Sequence, residues 1–87
     1  MMTAYERSDI IHIMKMNRFI LSDSDTAYLE FSGQVKGKSY QITILLVEDL
    51  PQIVMKQDGK VILNEMVKSV DDLKIFLEER LYKYFEE

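Results

Sequence analysis

The one histidine of the chain, His12, follows Ser8 by a single helical turn and has Asp9 beside that serine. Hydroxyl, imidazole and carboxylate are the groups of a nucleophilic relay, but a relay needs them converging on a shaped pocket with oxyanion donors. One helix flank supplies no such pocket, so His12 reads as a surface or boundary residue. Zinc is served as poorly, by one histidine and no cysteine. Asp23 and Asp25 carry the hard oxygens that calcium prefers, yet "DSDTAYLE" lacks the glycine and the further ligands of a calcium loop. A solvated turn is the simpler reading, because Ser and Asp favour turns through local hydrogen bonds. Glu78 and Glu79 are adjacent and point apart on a helix. Gly33, Gly37 and Gly59 are too scattered to cradle a phosphate. The expectation is therefore no catalytic residue, no cofactor site, no metal site and no enzyme.

Lysines are the other chemically suggestive group. "VKGKSY" sets Lys36 and Lys38 around a glycine, and Lys56 and Lys60 flank Asp58-Gly59, in a chain of formal net charge -4. At strand tips such lysines would contact phosphates. They would equally keep sheet edges soluble and unpaired.

Composition bounds what can hold these residues. With 87 residues, 47% hydrophobic and 30% charged, the chain has room for one domain, residues 1–87, with a modest core. The absence of cysteine fits a reducing cytoplasm. No signal-peptide pattern opens the sequence. "ITILLV" falls far short of the roughly 18 apolar residues of a membrane span. A cytoplasmic protein with no membrane role is expected.

Apolar residues at helical spacing, Ile10, Ile13, Met14, Met16, Ile20 and Leu21, predict a first helix from Thr3 or Ser8 toward Ile20. "TAYE" has the form of a capping box. A rival reading stops the helix near Met16 and makes "RFILS" a strand. After "SDSD" the period falls to two, giving strands in "AYLEFSGQV" and "SYQITILLV". A two-residue turn at Lys36-Gly37 sets Phe31 against Ile42 and Leu29 against Ile44, with Tyr40 across from Gly33 to cover it. Asp58-Gly59, a strong hairpin signal, joins "QIVMKQ" to "KVILNE" with Met55 against Ile62 and Val54 against Leu63. In "SVDDLKIFLEERLYKYFEE" a helix capped by Ser69 runs to the end, with Glu79 positioned to pair with Lys83 and a main apolar arc of Val70, Leu73, Leu77, Leu81, Tyr84 and Phe85. Asn17 lies in the arc of the first helix, where a hydrogen-bonded role is preferred to one in self-association.

The expected architecture is α+β: an N-terminal helix, a four-stranded antiparallel meander and a C-terminal helix (α-ββββ-α). In a meander the two turns leave at one end, gathering Lys36, Lys38, Lys56 and Lys60. Asp23, Asp25, Glu48, Asp49, Glu65, Asp71 and Asp72 gather at the other. The second hairpin reads as apolar on both faces, and Ile75 with Tyr82 forms an extra stripe. Val54, Val61, Leu63, Ile75 and Tyr82 are thus the candidate interaction surface. They point to a small non-enzymatic protein-interaction or regulatory module with an unidentified protein partner, self-association into a homodimer being one form. The alternatives are a nucleic-acid contact through the lysine tips, or an acidic phage-type inhibitor of a nucleic-acid enzyme.

Overall fold

The computed structural model describes residues 2–46 and 50–86. Glu48 and Asp49 of the expected acidic end, and the turn that holds them, lie outside these residues. The described chain runs α1 (Ala4–Met16), β1 (Ile20–Ser24), β2 (Tyr28–Val35), β3 (Lys38–Leu45), β4 (Gln52–Gln57), β5 (Lys60–Met66), α2 (Val70–Glu79) and a 3-10 helix (Leu81–Phe85). The fold is α+β, and its antiparallel sheet has five strands in the order β1-β2-β3-β4-β5 rather than four.

The added strand follows from how α1 ends. Thr3 caps its start, accepting from the Glu6 amide while the Glu6 carboxylate accepts from the Thr3 amide. At the other end Arg18 turns left-handed, with φ 69. Its amide reaches the Lys15 carbonyl and the Phe19 amide reaches that of Met14, the two bonds of a Schellman cap. Asn17 closes the same cap, its side chain donating to the Ile13 carbonyl at 2.9 Å. The helix therefore stops at Met16, which is exposed, and Ile20–Ser24 pairs with β2 as an edge strand.

Both hairpins turn through left-handed pairs, Lys36-Gly37 and Asp58-Gly59, which suit the twist of the strands. The first has the expected register, with Phe31 on Ile42, Leu29 on Ile44 and Gly33 on Tyr40. The ring nearest to a Cβ at Gly33 is that of Phe19, whose Cδ1 would stand 2.7 Å away. The second hairpin departs from its expected register. A bulge sets Lys56 on Val61 but Met55 on Leu63 and Val54 on Asn64. Ile62 is the extra residue, and it packs with Leu63 against the core.

That core lies on one face of the sheet. Ile10 and Met14 of α1, and Leu73, Phe76 and Leu77 of α2, bury against Leu29, Phe31, Ile42, Ile44, Ile53, Met55 and Leu63. Both helices thus cover the same face. The C-terminal helix is shorter than expected: α2 gives way at Arg80 to the 3-10 helix. Leu81 is fully buried, and Phe85 meets Tyr40 edge-on at 4.7 Å and Phe19 at 5.5 Å. With α-helical geometry lost there, the expected Glu79–Lys83 pair does not form; among the described residues the ion pair found is Lys74 to Asp9, 3.3 Å, linking α2 to α1.

Candidate interaction surface

Side chains alternate across a strand, so every core-facing row leaves an opposite row on the other face. Two such rows cross all five strands and a third crosses β2 to β5. Ile20, Ser32, Gln41, Lys56 and Val61 stand in register, as do Asp23, Glu30, Thr43, Val54 and Asn64. Tyr28, Leu45, Gln52 and Met66 form the third. No described element packs on this face. Ile20 is 64% exposed, Met66 55% and Val61 49%.

The face has two unlike halves. Over β1 and β2 a polar network ties neighbouring side chains together: Ser32 donates to Ser22 at 3.0 Å, Ser22 to Glu30 at 3.2 Å and the Tyr28 hydroxyl to Asp23 at 2.7 Å. That bond, with partial burial and the negative charges of Asp23, Asp25 and Glu30, raises the Tyr28 phenol above its ordinary value. Over β4 and β5 the face is neutral to basic and more apolar, with Val54, Val61 and Met66 around Lys56. Across the strands at the hairpin end lies a shallow groove of ≈ 450 Å³, lined by Ile20, Ser32, Gln34, Gln41, Lys56 and Asp58 among others.

The residues singled out from the sequence are not brought together. Val54 and Val61 lie on the open face. Leu63 is only 7% exposed, drawn into the core by the bulge. Ile75 and Tyr82 are exposed, at 44% and 46%, but on the helical layer. The surface expected from Val54, Val61, Leu63, Ile75 and Tyr82 is therefore not one surface.

The lysines do share one end. Asp58 accepts from the Ser39 amide at 3.0 Å and its own amide donates to the Ser39 carbonyl at 2.8 Å, which holds the two turns side by side. The sheet nevertheless divides them. Lys56 faces the open groove. Lys36 and Lys38 line a separate hollow of ≈ 70 Å³ with Tyr40, Tyr84 and Phe85. Asp23, Asp25, Glu65, Asp71 and Asp72 stand at the opposite end of the strands. His12, Ser8 and Asp9 are exposed on α1. No described polar or charged side chain is buried, and no three described His, Asp or Glu residues are grouped to hold a metal. No described helix is long and apolar enough to cross a membrane.

The preferred reading, a helix running toward Ile20, hid the open face as a unit; the rival reading, with the helix ending near Met16 and a strand in "RFILS", is the one that the structure follows. The irregular pairing of β1, with Ser22 left out of register, gave no clean alternation, and the helical spacing of Ile13, Met16 and Ile20 competed with the strand reading. No protein-family model matches this chain, and no curated protein or solved structure matches it.

Proposed function

We propose that the protein is a non-enzymatic interaction module whose open sheet face takes a second copy of the chain. The observation that carries this reading is the five-stranded face left bare while both helices cover its opposite. Charge selects the occupant. Asp23 and Glu30 stand on one half and Lys56 on the other. A two-fold axis between two such faces, running along β3, lays each β1–β2 half on the other copy's β4–β5 half. Glu30 then comes one row from the partner's Lys56, and Ile20 comes opposite the partner's Val61. Sheets packed in this way stand about 10 Å apart. The perpendicular axis would set like charges on one another.

Size sets the strength. Five strands about 4.8 Å apart, with three cross-strand rows about 7 Å apart, give roughly 500 Å² per copy, below the roughly 800 Å² of a standard interface. A weak dimer follows, populated as concentration rises. Light scattering across a concentration series tests it. Mass should climb toward twice 10.3 kDa, and Val54→Asp should keep the protein monomeric without unfolding it. A strict monomer up to millimolar concentration would remove the reading.

The divided lysines support a nucleic-acid contact less well. Lys56 and the Lys36/Lys38 pair look out from different faces, and Asp58 sits between them. The acidic end offers an inhibitor of a nucleic-acid enzyme Asp23 and Asp25, already engaged with Tyr28 and Thr26. Binding to a nucleic-acid fragment in low salt is the outcome that would restore the first of these.

A further inference from the structure

A second surface, on the helical side, has the parts of a peptide site. β5 ends the sheet, so among the described residues no strand neighbours its outer edge. Beside its last residues, Glu65, Phe76, Arg80, Lys83 and Tyr84 enclose a groove of ≈ 240 Å³. It continues past Met66 into a further ≈ 320 Å³ that shares Glu65, Phe76 and Arg80. The Arg80 guanidinium lies 5.8 Å from the centre of the Phe76 ring, and Phe76 is 6.2 Å from Tyr84. Stacking over a ring holds the guanidinium plane while leaving its N–H edge open to a carboxylate. Neither Arg80 nor Lys83 forms an ion pair among the described residues.

We infer that this groove captures an extended, acidic segment of a partner protein. Its backbone adds a strand to β5 along Asn64–Met66, a carboxylate side chain meets Arg80 and Lys83, and an aromatic side chain two residues on lies against Phe76 and Tyr84. Edge addition supplies main-chain hydrogen bonds, and alternate side chains supply selectivity. Arg80 and Lys83, with Lys68 in the continuation, outnumber the carboxylates of Glu65 and Asp72 and favour acidic over basic segments. The bulge lies before Asn64, so the last turn-free stretch of the edge is regular where the groove opens.

The test uses the full chain labelled with nitrogen-15 and carrying Val54→Asp, so that association through the open face does not interfere. The probe is the blocked peptide Thr-Glu-Thr-Phe-Thr-Glu-Thr, with lysine in place of glutamate as control. The acidic peptide should shift the amides of residues 64–66 and the Arg80 side-chain N–H saturably, and the basic peptide should not. Arg80→Glu should weaken binding roughly tenfold or more, as expected when a charge-assisted bond is lost. Its thermal unfolding should match that of the parent, since Arg80 is exposed. No shifts at millimolar peptide, equal binding of both peptides, or shifts centred on Ile20 and Lys56 would each overturn the inference. Each of these outcomes leaves dimerisation through the open face as it stood.

Discussion

Phe19 lies so close over Gly33 that a Cβ built on the glycine would be 2.7 Å from Phe19 Cδ1 and 2.9 Å from the Arg18 carbonyl oxygen. The ring could turn aside, but the carbonyl belongs to backbone fixed by the α1 cap and cannot. Gly33→Ala should therefore destabilise the fold by about 1–3 kcal/mol, the cost of forcing volume into a packed site. Phe19→Ala should cost about 3–5 kcal/mol through the cavity it leaves. Urea unfolding checks both, and a Gly33→Ala protein as stable as the parent would refute the contact.

Arg18 carries the opposite expectation. It adopts φ 69 at the position after the helix cap where glycine is favoured. An L side chain there costs about 1 kcal/mol or more, part of which glycine returns through its freer unfolded chain. Arg18→Gly should stabilise by about 0.5–1 kcal/mol, read as a higher urea midpoint at unchanged slope. A loss of stability would show that the arginine side chain holds the cap by some contact of its own.

The bulge in β5 makes a third comparison. Leu63 is buried and Val61 is half exposed. Leu63→Ala should cost about 2–4 kcal/mol, and Val61→Ala under about 1 kcal/mol. The unbulged register would have put Ile62 in the place of Leu63, so a larger loss for Ile62→Ala than for Leu63→Ala would favour it.

These sites mark where sequence stopped informing structure. Parity settles the first hairpin because a slip by one residue would carry Leu29, Phe31, Ile42 and Ile44 to water. In β5 it settles less, since Val61, Ile62 and Leu63 are all apolar and either register buries some of them. The end of α1 near Met16 was legible only as a rival reading, because its left-handed position holds arginine and no glycine announces the stop. Turns and caps with their expected residues, Thr3, Ser69 and Asp58-Gly59, were legible. The groove beside β5 was not, because it joins Glu65 to residues about a turn of helix apart in α2 and the 3-10 helix, which no local pattern connects.

Tyr28 supplies a pH dependence. Its hydroxyl donates to Asp23, and that bond together with desolvation and the nearby charges of Asp23, Asp25 and Glu30 raises its pKa above 10.0. A raised pKa in the folded state favours the neutral phenol. The stabilisation it brings is complete below the unfolded value near 10 and is lost as pH climbs through the folded value. An ultraviolet absorbance titration should find a late step from the Tyr28 phenol. Asp23→Asn should bring that tyrosine earlier, and Tyr28→Phe should remove the late step. A late step that survives Tyr28→Phe belongs to another ring.

Opposed charge on the two halves of the open face makes the association directly reversible in sign. A two-fold dimer contains the Glu30–Lys56 approach twice, so Glu30→Lys and Lys56→Glu each convert two attractions into two repulsions. At about 0.5 kcal/mol for each exposed attraction or repulsion, the change is about 2 kcal/mol, and either variant alone should dimerise roughly 30-fold more weakly. Mixed together, the two variants pair Lys with Glu at one contact through substituted residues and at the other through native ones, so the heterodimer should recover the parent's strength. Sedimentation of each variant and of the equimolar mixture reads this out, and the contrast should shrink at high salt as screening shortens the reach of the charges. Association that is unchanged in both single variants, or a mixture no stronger than its components, would mean that the copies do not meet with β1–β2 on β4–β5.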